Sequence, residues 1–199
     1  MILATRNEHK LREFREALPG LEIEPLPESV ELPPEEGETF AANALGKARA
    51  AHEATGQAVI ADDSGIEAAR LGGRPGVYSA RYAGEGASDE ENLDRLLAEL
   101  RDVDDKRLAY VCAIALVTED GAEEMFEGRC TGTLVDPPRG GGGFGYDPAF
   151  LPDDTGPGDV RTFGELPPGE KHAISHRGRA AAGLARHLGI GAAAERGSR

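Results

Sequence analysis

The chain has 199 residues, of which 39% are hydrophobic and 29% charged, enough for one globular domain with a sizeable core. Its formal net charge of −14 argues against general binding to nucleic acid polymers or to anionic membrane surfaces. No apolar run approaches the roughly 18 residues of a membrane span, and the first residues lack the basic segment and long apolar core of a signal peptide. We therefore expect a cytoplasmic protein that does not bind membranes.

The N-terminus predicts a strand followed by a helix. Residues 1–4 are strand-like, residues 5–7 are of helix-capping type, and apolar residues recur every three or four positions over 11–18. Such a helix N-terminus suits a phosphate group, and Lys10 lies in its first turn. An ordinary capped helix with a solvated lysine explains the same residues.

The next segment predicts a strand, a loop and a second helix. Residues 21–26 alternate as a strand does, and residues 27–37 are acidic and rich in proline, as in a loop. A helix follows from a cap at Thr39 to Gly56. Glu35 and Glu36 of the loop form a solvated charge pair unless the loop folds back over the acidic stretch that comes next.

That stretch, residues 62–65 with the sequence Asp-Asp-Ser-Gly, follows a predicted buried strand over 58–61. Ligands of open α/β sheets bind beyond the carboxyl ends of strands, and adjacent carboxylates provide oxygen ligands for Mg²⁺ or a base for water. The same residues are typical of a turn. We expect a turn here, followed by a separate short strand over 66–71.

The middle of the chain predicts a helix and a β-hairpin. Ser88 and the glutamate three residues on form a capping box for a helix that ends near Leu100. Two strand-like runs, 108–117 and 123–135, flank an Asp-Gly turn. Each run contains one cysteine, Cys112 or Cys130, which we expect to be a buried free thiol.

A glycine-rich loop follows over 139–148. Its glycines match a dinucleotide-binding pattern formally, but Pro148 follows at once and disfavours the helix that this pattern needs. Phe144 and Asp147 on such a loop are suited to stacking on a base and bonding to its edge. A packed loop explains them equally well.

The C-terminal part predicts one last helix introduced by Lys171. Positive charge is concentrated near its start, at Lys171, His176 and Arg177. We expect a single domain over residues 1–190. We expect a disordered tail over 191–199, because its residues are small or polar.

Six short motifs stand in order along the chain. They are Thr5-x-Asn7-x-x-Lys10, Gly37-x-Thr39-Phe40-x-x-Asn43-Ala44-x-x-Lys47-Ala48, Ala61-Asp62-Asp63-Ser64-Gly65, Leu71-Gly72-Gly73-x-Pro75-Gly76-Val77-Tyr78-Ser79-Ala80-Arg81-Tyr82, Gly143-Phe144-Gly145-Tyr146-Asp147-Pro148 and Lys171-x-Ala173-Ile174-Ser175-His176-Arg177-Gly178. Together they resemble the inosine triphosphate pyrophosphatase family over the chain to about Gly189.

The resemblance implies an α/β fold with a mixed β-sheet flanked by helices, in two lobes around a deep substrate cleft. It also implies a homodimer, Mg²⁺ as cofactor, and hydrolysis of the non-standard purine nucleotides XTP, ITP and dITP. Water would attack the α-phosphorus and release the monophosphate and pyrophosphate.

By the same resemblance, the triphosphate is bound by Thr5, Asn7, Lys10 and Lys47. Asp63 holds Mg²⁺ and acts as the base for water, and Ser64 contacts the substrate beside it. The family has an acidic second metal ligand before the Gly-x-Thr-Phe glycine. This role falls on Glu35, with Glu36 as the alternate.

The purine is predicted to stack on Phe144 of the glycine-rich loop, in which Gly145 and Tyr146 also contact substrate. Its edge, with a 6-keto group, is predicted to be read by Asp147, Lys171, His176 and Arg177. Adenine would leave such donors unpaired, which favours ITP over ATP.

Two other functions remain open: a pyrophosphatase for pyrimidine nucleotides on a related fold, and a non-catalytic nucleotide-binding protein. The base-reading residues argue against the first. The intact aspartate pair and lysines argue against the second.

Overall fold

The computed structural model describes residues 1–190, so the predicted tail over 191–199 lies outside the described residues. The chain divides into two compact units, each built from separate segments. Among the described residues, unit 1 comprises 1–63, 112–128 and 177–190, and unit 2 comprises 64–111 and 129–176. The single domain over 1–190 stays a prediction.

Six strands form one mixed sheet. They are β1 Ile2–Leu3, β2 Glu24–Pro25, β3 Val59–Ala68, β4 Arg107–Val117, β5 Glu123–Leu134 and β6 Phe150–Pro152. Their order in the sheet is β2-β1-β3-β4-β5-β6. Strand β1 is parallel to β2 and β3, whereas β5 and β6 are antiparallel. The predicted α/β class with a mixed sheet and helices is confirmed.

Five α-helices accompany the sheet in the described part of the chain: α1 Glu8–Ala17, α2 Phe40–Thr55, α3 Asp89–Leu100, α4 Pro168–Ile174 and α5 His176–His187. Short 3₁₀ segments cover Ala69–Leu71, Gly76–Arg81 and Asp147–Ala149. No helix among residues 1–190 is both long enough and apolar enough to cross a membrane.

Strand β3 corrects the prediction for the acidic stretch. The predicted turn over 62–65 is wrong, because β3 runs without a break from Val59 to Ala68. The predicted strand over 66–71 is wrong in its second half, where a 3₁₀ segment begins at Ala69. Turn-forming residues stay extended here because β3 is hydrogen-bonded in the sheet between β1 and β4.

Unit 1 is organised by the apolar face of α1. Phe14 and Leu18 are fully buried and pack in one cluster with Ile60 and Ile114 of the strands. Leu184 of α5 joins the same cluster. The spacing of three and four predicted this face correctly, and it fixes α1 against the strand that carries the aspartates.

Unit 2 has its own core beneath α3. The predicted capping box of Ser88 and Glu91 is present at the start of this helix, and Leu96 is fully buried. The rings of Tyr110 and Phe150 lie 4.8 Å apart, centroid to centroid, in an edge-on arrangement. This aromatic core supports the residues that follow the glycine-rich loop.

The predicted hairpin is confirmed as β4 and β5, with Gly121 at a φ of 82° in the turn. Cys112 and Cys130 are buried free thiols, as predicted. The predicted strand over 21–26 shortens to Glu24–Pro25, since the prolines at 25 and 27 offer no N–H group to a neighbouring strand.

The prediction of one C-terminal helix is wrong. Helix α4 ends at Ile174, Ser175 is extended with φ −72° and ψ 158°, and α5 begins at His176. Lys171 and Arg177 therefore belong to different helices.

Candidate active site

A buried charge cluster surrounds Asp62 in unit 1. The Nζ atom of Lys10 lies 3.0 Å from Asp62 Oδ2, and Arg177 Nη2 lies 3.2 Å from the same oxygen. Arg177 also pairs with Glu13 of α1. Burial alone would raise the pKa of Asp62, but the charges of Lys10, Arg177 and Lys47 hold that pKa well below its ordinary value of 3.8. Asp62 is therefore an ionised anchor.

Asp63, the next residue, has a different environment. Asn43 Nδ2 donates a hydrogen bond of 2.9 Å to Asp63 Oδ2. Burial raises the pKa of Asp63 and the nearby charge of Glu35 raises it further, against the lowering effect of Lys47 and Asn43. A carboxyl with a raised pKa at a buried site is a candidate proton acceptor.

Asn43 is itself held in place by a glycine. The backbone N–H of Gly37 donates to Asn43 Oδ1 over 2.7 Å. A Cβ atom at residue 37 would lie 2.6 Å from that oxygen, so a side chain there would break the contact. The orientation of Asp63 thus depends on residues in the loop and helix that precede it by about twenty positions.

Lys47 of α2 connects Glu35 to Asp62. Its Nζ lies 2.5 Å from Glu35 Oε1 and 2.6 Å from the backbone oxygen of Asp62. Burial would lower its pKa, but the charges of Asp62, Glu35 and Asp63 outweigh this and raise it. Glu36 is exposed, whereas Glu35 is half-buried and pairs with Lys47.

The donor set around Asp63 fits Mg²⁺. Glu35 and Asp63 offer hard carboxylate oxygens, and Lys47 Nζ joins Glu35 Oε1 to the backbone oxygen of Asp62, the residue before Asp63. Among residues 1–190, no group of three or more His, Cys, Asp or Glu side chains is arranged to hold a metal ion. Mg²⁺ characteristically takes one or two carboxylates together with water and phosphate oxygens, whereas structural zinc needs four protein ligands.

Thr5 and Asn7 cap helix α1. Asn7 Oδ1 accepts hydrogen bonds from the backbone N–H groups of His9 and Lys10, at 2.9 and 3.2 Å. Thr5 Oγ1 accepts from the N–H of Asn7 at 3.1 Å. These N–H groups are engaged as in an ordinary capped helix, and the predicted phosphate contacts of Thr5 and Asn7 stay predictions.

A second polar cluster lies around Asp147 in unit 2. Its buried carboxylate accepts hydrogen bonds from Tyr110 OH at 3.1 Å, from the Phe144 N–H at 2.9 Å and from Lys171 Nζ at 2.7 Å. A Cβ atom on Gly143, whose φ is 73°, would lie 2.1 Å from Asp147 Oδ2. Glycine at 143 therefore permits the loop to wrap around this carboxylate.

Aromatic rings border the same cluster. Lys171 Nζ lies 5.3 Å from the ring centroid of Phe144, which is half-buried. The rings of Tyr110 and His176 stack at 4.5 Å with an interplanar angle of 7°. Burial, together with the charge of Asp147, raises the pKa of Tyr110 well above its ordinary value, so its hydroxyl remains a donor.

The other predicted substrate contacts have structural partners. The N–H of Gly145 donates to Asp89 Oδ2 over 2.8 Å. Tyr146 is buried, and its hydroxyl donates to the backbone oxygen of Ser79 over 2.8 Å. Ser64 is half-buried on β3. Their roles toward substrate stay predictions.

A family model described as the Ham1 family matches residues 1–187. The chain belongs to the Ham1 family. This Ham1 protein is 47% identical over 196 residues to a "dITP/XTP pyrophosphatase" of Geobacter sulfurreducens, covering 95% of this chain and 96% of that protein. It is 49% identical over 195 residues to a protein of the same name from Mycobacterium bovis, covering 92% and 91% of the two chains. The family resemblance is confirmed.

Solved structures agree with this assignment. The structure of the Staphylococcus aureus Ham1 protein matches this Ham1 protein with a TM-score of 0.83 and 38% identity, covering 94% of this chain and 96% of that one. The structural match covers 94% of this chain, and the family model matches residues 1–187. The fold and the family assignment are therefore supported by nearly the same part of the chain.

Three contributors to the two clusters had no role predicted from the sequence: Asn43, Glu13 and Tyr110. Asn43 precedes Lys47 by one helical turn, and Glu13 follows Lys10 by three residues, so helical spacing held a signal for both. Asp62 was named beside Asp63 without its partners. Nothing in the strand pattern around Tyr110 indicated a bond to a residue 37 positions later.

Proposed function

We propose that this Ham1 protein is a nucleoside-triphosphate diphosphatase that hydrolyses dITP, ITP and XTP to the monophosphate and pyrophosphate and so removes them from the nucleotide pool. Relatives named dITP/XTP pyrophosphatase support the substrate class. The observation that carries the proposal is the different surroundings of two adjacent aspartates: Asp62 is paired with Lys10 and Arg177, whereas Asp63 accepts a hydrogen bond from Asn43.

Phosphoryl transfer depends mainly on positioning and on neutralising charge. Lys10 and Lys47 bring two cations to the aspartate pair, and a triphosphate would compete with Asp62 and Glu35 for them. Asp63 and Glu35 would hold Mg²⁺. A bound Mg²⁺ supplies Lewis acidity toward phosphate oxygens and lowers the pKa of water.

Asp63 is the residue that we assign as the base. Its raised pKa favours acceptance of a proton from the attacking water, and Asn43 fixes its orientation through Oδ2. Asp62 does not serve as base in this proposal, because its charge is committed to Lys10 and Arg177.

The cluster in unit 2 is proposed to recognise the purine. Phe144 would stack on the base, and Lys171 and His176 would face its edge together with Asp147. Asp147 holds the Lys171 ammonium group at 2.7 Å. The 6-keto oxygen of the substrate could accept a hydrogen bond from this ammonium group, whereas the amino group of adenine could not. For Arg177 we propose a different role from base reading, namely holding Asp62, since its contacts are with Asp62 and Glu13.

The two-lobed cleft, the homodimer and the cytoplasmic location stay predictions. Light scattering on the purified protein tests the dimer. Phosphate contacts of Thr5 and Asn7, and substrate contacts of Ser64, Gly145 and Tyr146, also belong to this proposal.

Pyrophosphate release tests the function. The purified protein with Mg²⁺ should release pyrophosphate, not orthophosphate, from ITP, XTP and dITP faster than from GTP, ATP and pyrimidine triphosphates. In ¹⁸O-labelled water, the label should enter the monophosphate, because attack at the α-phosphorus places the new oxygen there. Asp63→Asn serves as the inactive control.

Each other outcome selects a different function. Orthophosphate as the first product would refute the reaction. Preference for pyrimidine triphosphates would favour the pyrimidine enzyme, and nucleotide binding without turnover would favour a non-catalytic protein.

A further inference from the structure

Arg6 lies between Thr5 and Asn7, where β1 leads into α1. Its guanidinium spans one loop by donating to four backbone carbonyls. The acceptors are Leu26 at 2.9 Å, Pro27 at 2.8 Å, Glu28 at 3.3 Å and Val30 at 2.7 Å. All of them lie at the start of the segment over 26–37, hereafter the Glu35 loop.

The Glu35 loop needs such an external donor. It contains no helix or strand, and Pro27, Pro33 and Pro34 have no N–H group. Leu26 and Val30 are buried, so carbonyls near them must be satisfied within the protein. A planar guanidinium can serve several acceptors at once, which an ammonium group cannot do in the same geometry.

The far end of the Glu35 loop has a separate attachment. Gly37 donates to Asn43 over 2.7 Å, and Glu35 pairs with Lys47 over 2.5 Å. The loop is therefore held at its start by Arg6 and at its end by α2. Glu35, with a side chain 32% exposed, belongs to this second attachment.

We propose that Arg6 is a positioning residue that holds the Glu35 loop so that Glu35 and Asp63 can share a divalent cation. The proposal rests on the proposed function for the identity of that metal site. It also joins two parts of the site, because Arg6 sits between the two residues predicted to contact phosphate. Substrate that orders the segment around Thr5 and Asn7 then favours order in the Glu35 loop, and metal that orders the Glu35 loop favours order in that segment.

Variants of Arg6 test this role. Arg6→Ala removes all four hydrogen bonds. Arg6→Lys keeps the positive charge but lacks the planar guanidinium group. The matched control is Arg15→Ala, because Arg15 also donates only to a backbone carbonyl in this region, that of Ile23 at 3.0 and 3.3 Å, which precedes the Glu35 loop.

Three measurements are made on the full chain. Mn²⁺ binding without nucleotide is measured by titration calorimetry, amide hydrogen exchange is followed over residues 28–37, and the Mg²⁺ concentration for half-maximal pyrophosphate release from ITP is determined. Arg6→Ala should weaken metal binding by about tenfold to a hundredfold, the range for residues that orient metal ligands. Exchange over 28–37 should accelerate, and kcat at saturating Mg²⁺ should stay near the wild-type value.

The Mn²⁺ affinity of Arg6→Lys, and its amide exchange over 28–37, should lie between those of the wild type and Arg6→Ala. This variant preserves the test if the alanine variant does not fold. Arg15→Ala should bind Mn²⁺ as the wild type does. Unchanged metal affinity or unchanged exchange in the Arg6 variants would overturn the proposal, as would equal weakening by Arg15→Ala. Absence of pyrophosphate release by the wild type would instead overturn the proposed function, while exchange over 28–37 would still decide whether Arg6 orders the loop.

Discussion

Asp62 and Asp63 are neighbours on strand β3, yet their carboxyl groups have pKa values shifted in opposite directions. Successive side chains of a strand point to opposite faces of its sheet. Asp62 accordingly meets Lys10 of α1 and Arg177 of α5, whereas Asp63 meets Asn43 of α2. One aspartate is neutralised by two cations, and the other retains the capacity to take up a proton.

Asp63→Asn should lose turnover and keep stability. Removal of a general base lowers kcat by about 10²–10⁴-fold, while substrate affinity should change little. Because the folded state raises the pKa of Asp63, the unfolded chain ionises first as the pH rises above 3.8, and the ionised carboxyl costs stability at neutral pH. Thermal unfolding at pH 7 in metal-free buffer should therefore give a Tm no lower than that of the wild type. Near-normal kcat would remove Asp63 as base.

Asp62→Asn should have the opposite effect on stability. It leaves Lys10 and Arg177 without their shared carboxylate, and breaking a buried ion pair costs about 3–5 kcal/mol. The folded pKa of Asp62 is depressed, so its contribution is fully present above the ordinary value of 3.8 and is lost as the pH falls below it. Urea unfolding at pH 7 should show the full difference from wild type, and acidification below pH 3.8 should shrink it.

Asp105→Asn is the control for this comparison. Asp105 pairs with Arg107 at 2.8 Å on the surface, where ion pairs contribute little. Its unfolding curve at pH 7 should match that of the wild type. An equal loss of stability in Asp62→Asn and Asp105→Asn would contradict a special role for the buried cluster.

Asn43→Ala should slow the reaction and shift its pH dependence. The hydrogen bond from Asn43 lowers the pKa of Asp63, so its loss should raise that pKa and move the acidic limb of the kcat profile to higher pH. We expect kcat to fall by about tenfold to a hundredfold, as for other residues that orient a metal ligand. Gly46→Ala on the same helix is the control, since a Cβ there meets no atom within 4 Å. A profile that drops without shifting would indicate only structural damage.

Lys171→Met and Arg177→Lys should separate base recognition from support of Asp62. Lys171 is in the Asp147 cluster, and loss of its charged hydrogen bond should reduce the ratio of kcat/KM for ITP over ATP by about tenfold to a hundredfold. Arg177→Lys should lower kcat/KM for both nucleotides alike and leave their ratio unchanged, because Arg177 contacts Asp62 and Glu13. A reduced ratio in Arg177→Lys would restore its predicted role in reading the base.

Much of this protein follows from its sequence because the relevant signals are local. The spacing of apolar residues in α1, the capping box of α3 and the Asp-Gly turn of the hairpin each describe contacts within a few positions, and all three are present. The order of six motifs indicated the family for a similar reason, since each motif is short and readable by itself.

Only the tertiary structure decided which charged residues belong together. Asp62 bonds to Arg177 across 115 positions, and Tyr110 bonds to Asp147 across 37, distances over which no periodicity operates. The break at Ser175 placed Arg177 on a different helix from Lys171, and the path of the loop brought Glu35 to Lys47. Local pattern determines where strands and helices form, but packing between them determines that Asp62 is neutralised by Lys10 and Arg177 while Asp63 has a raised pKa.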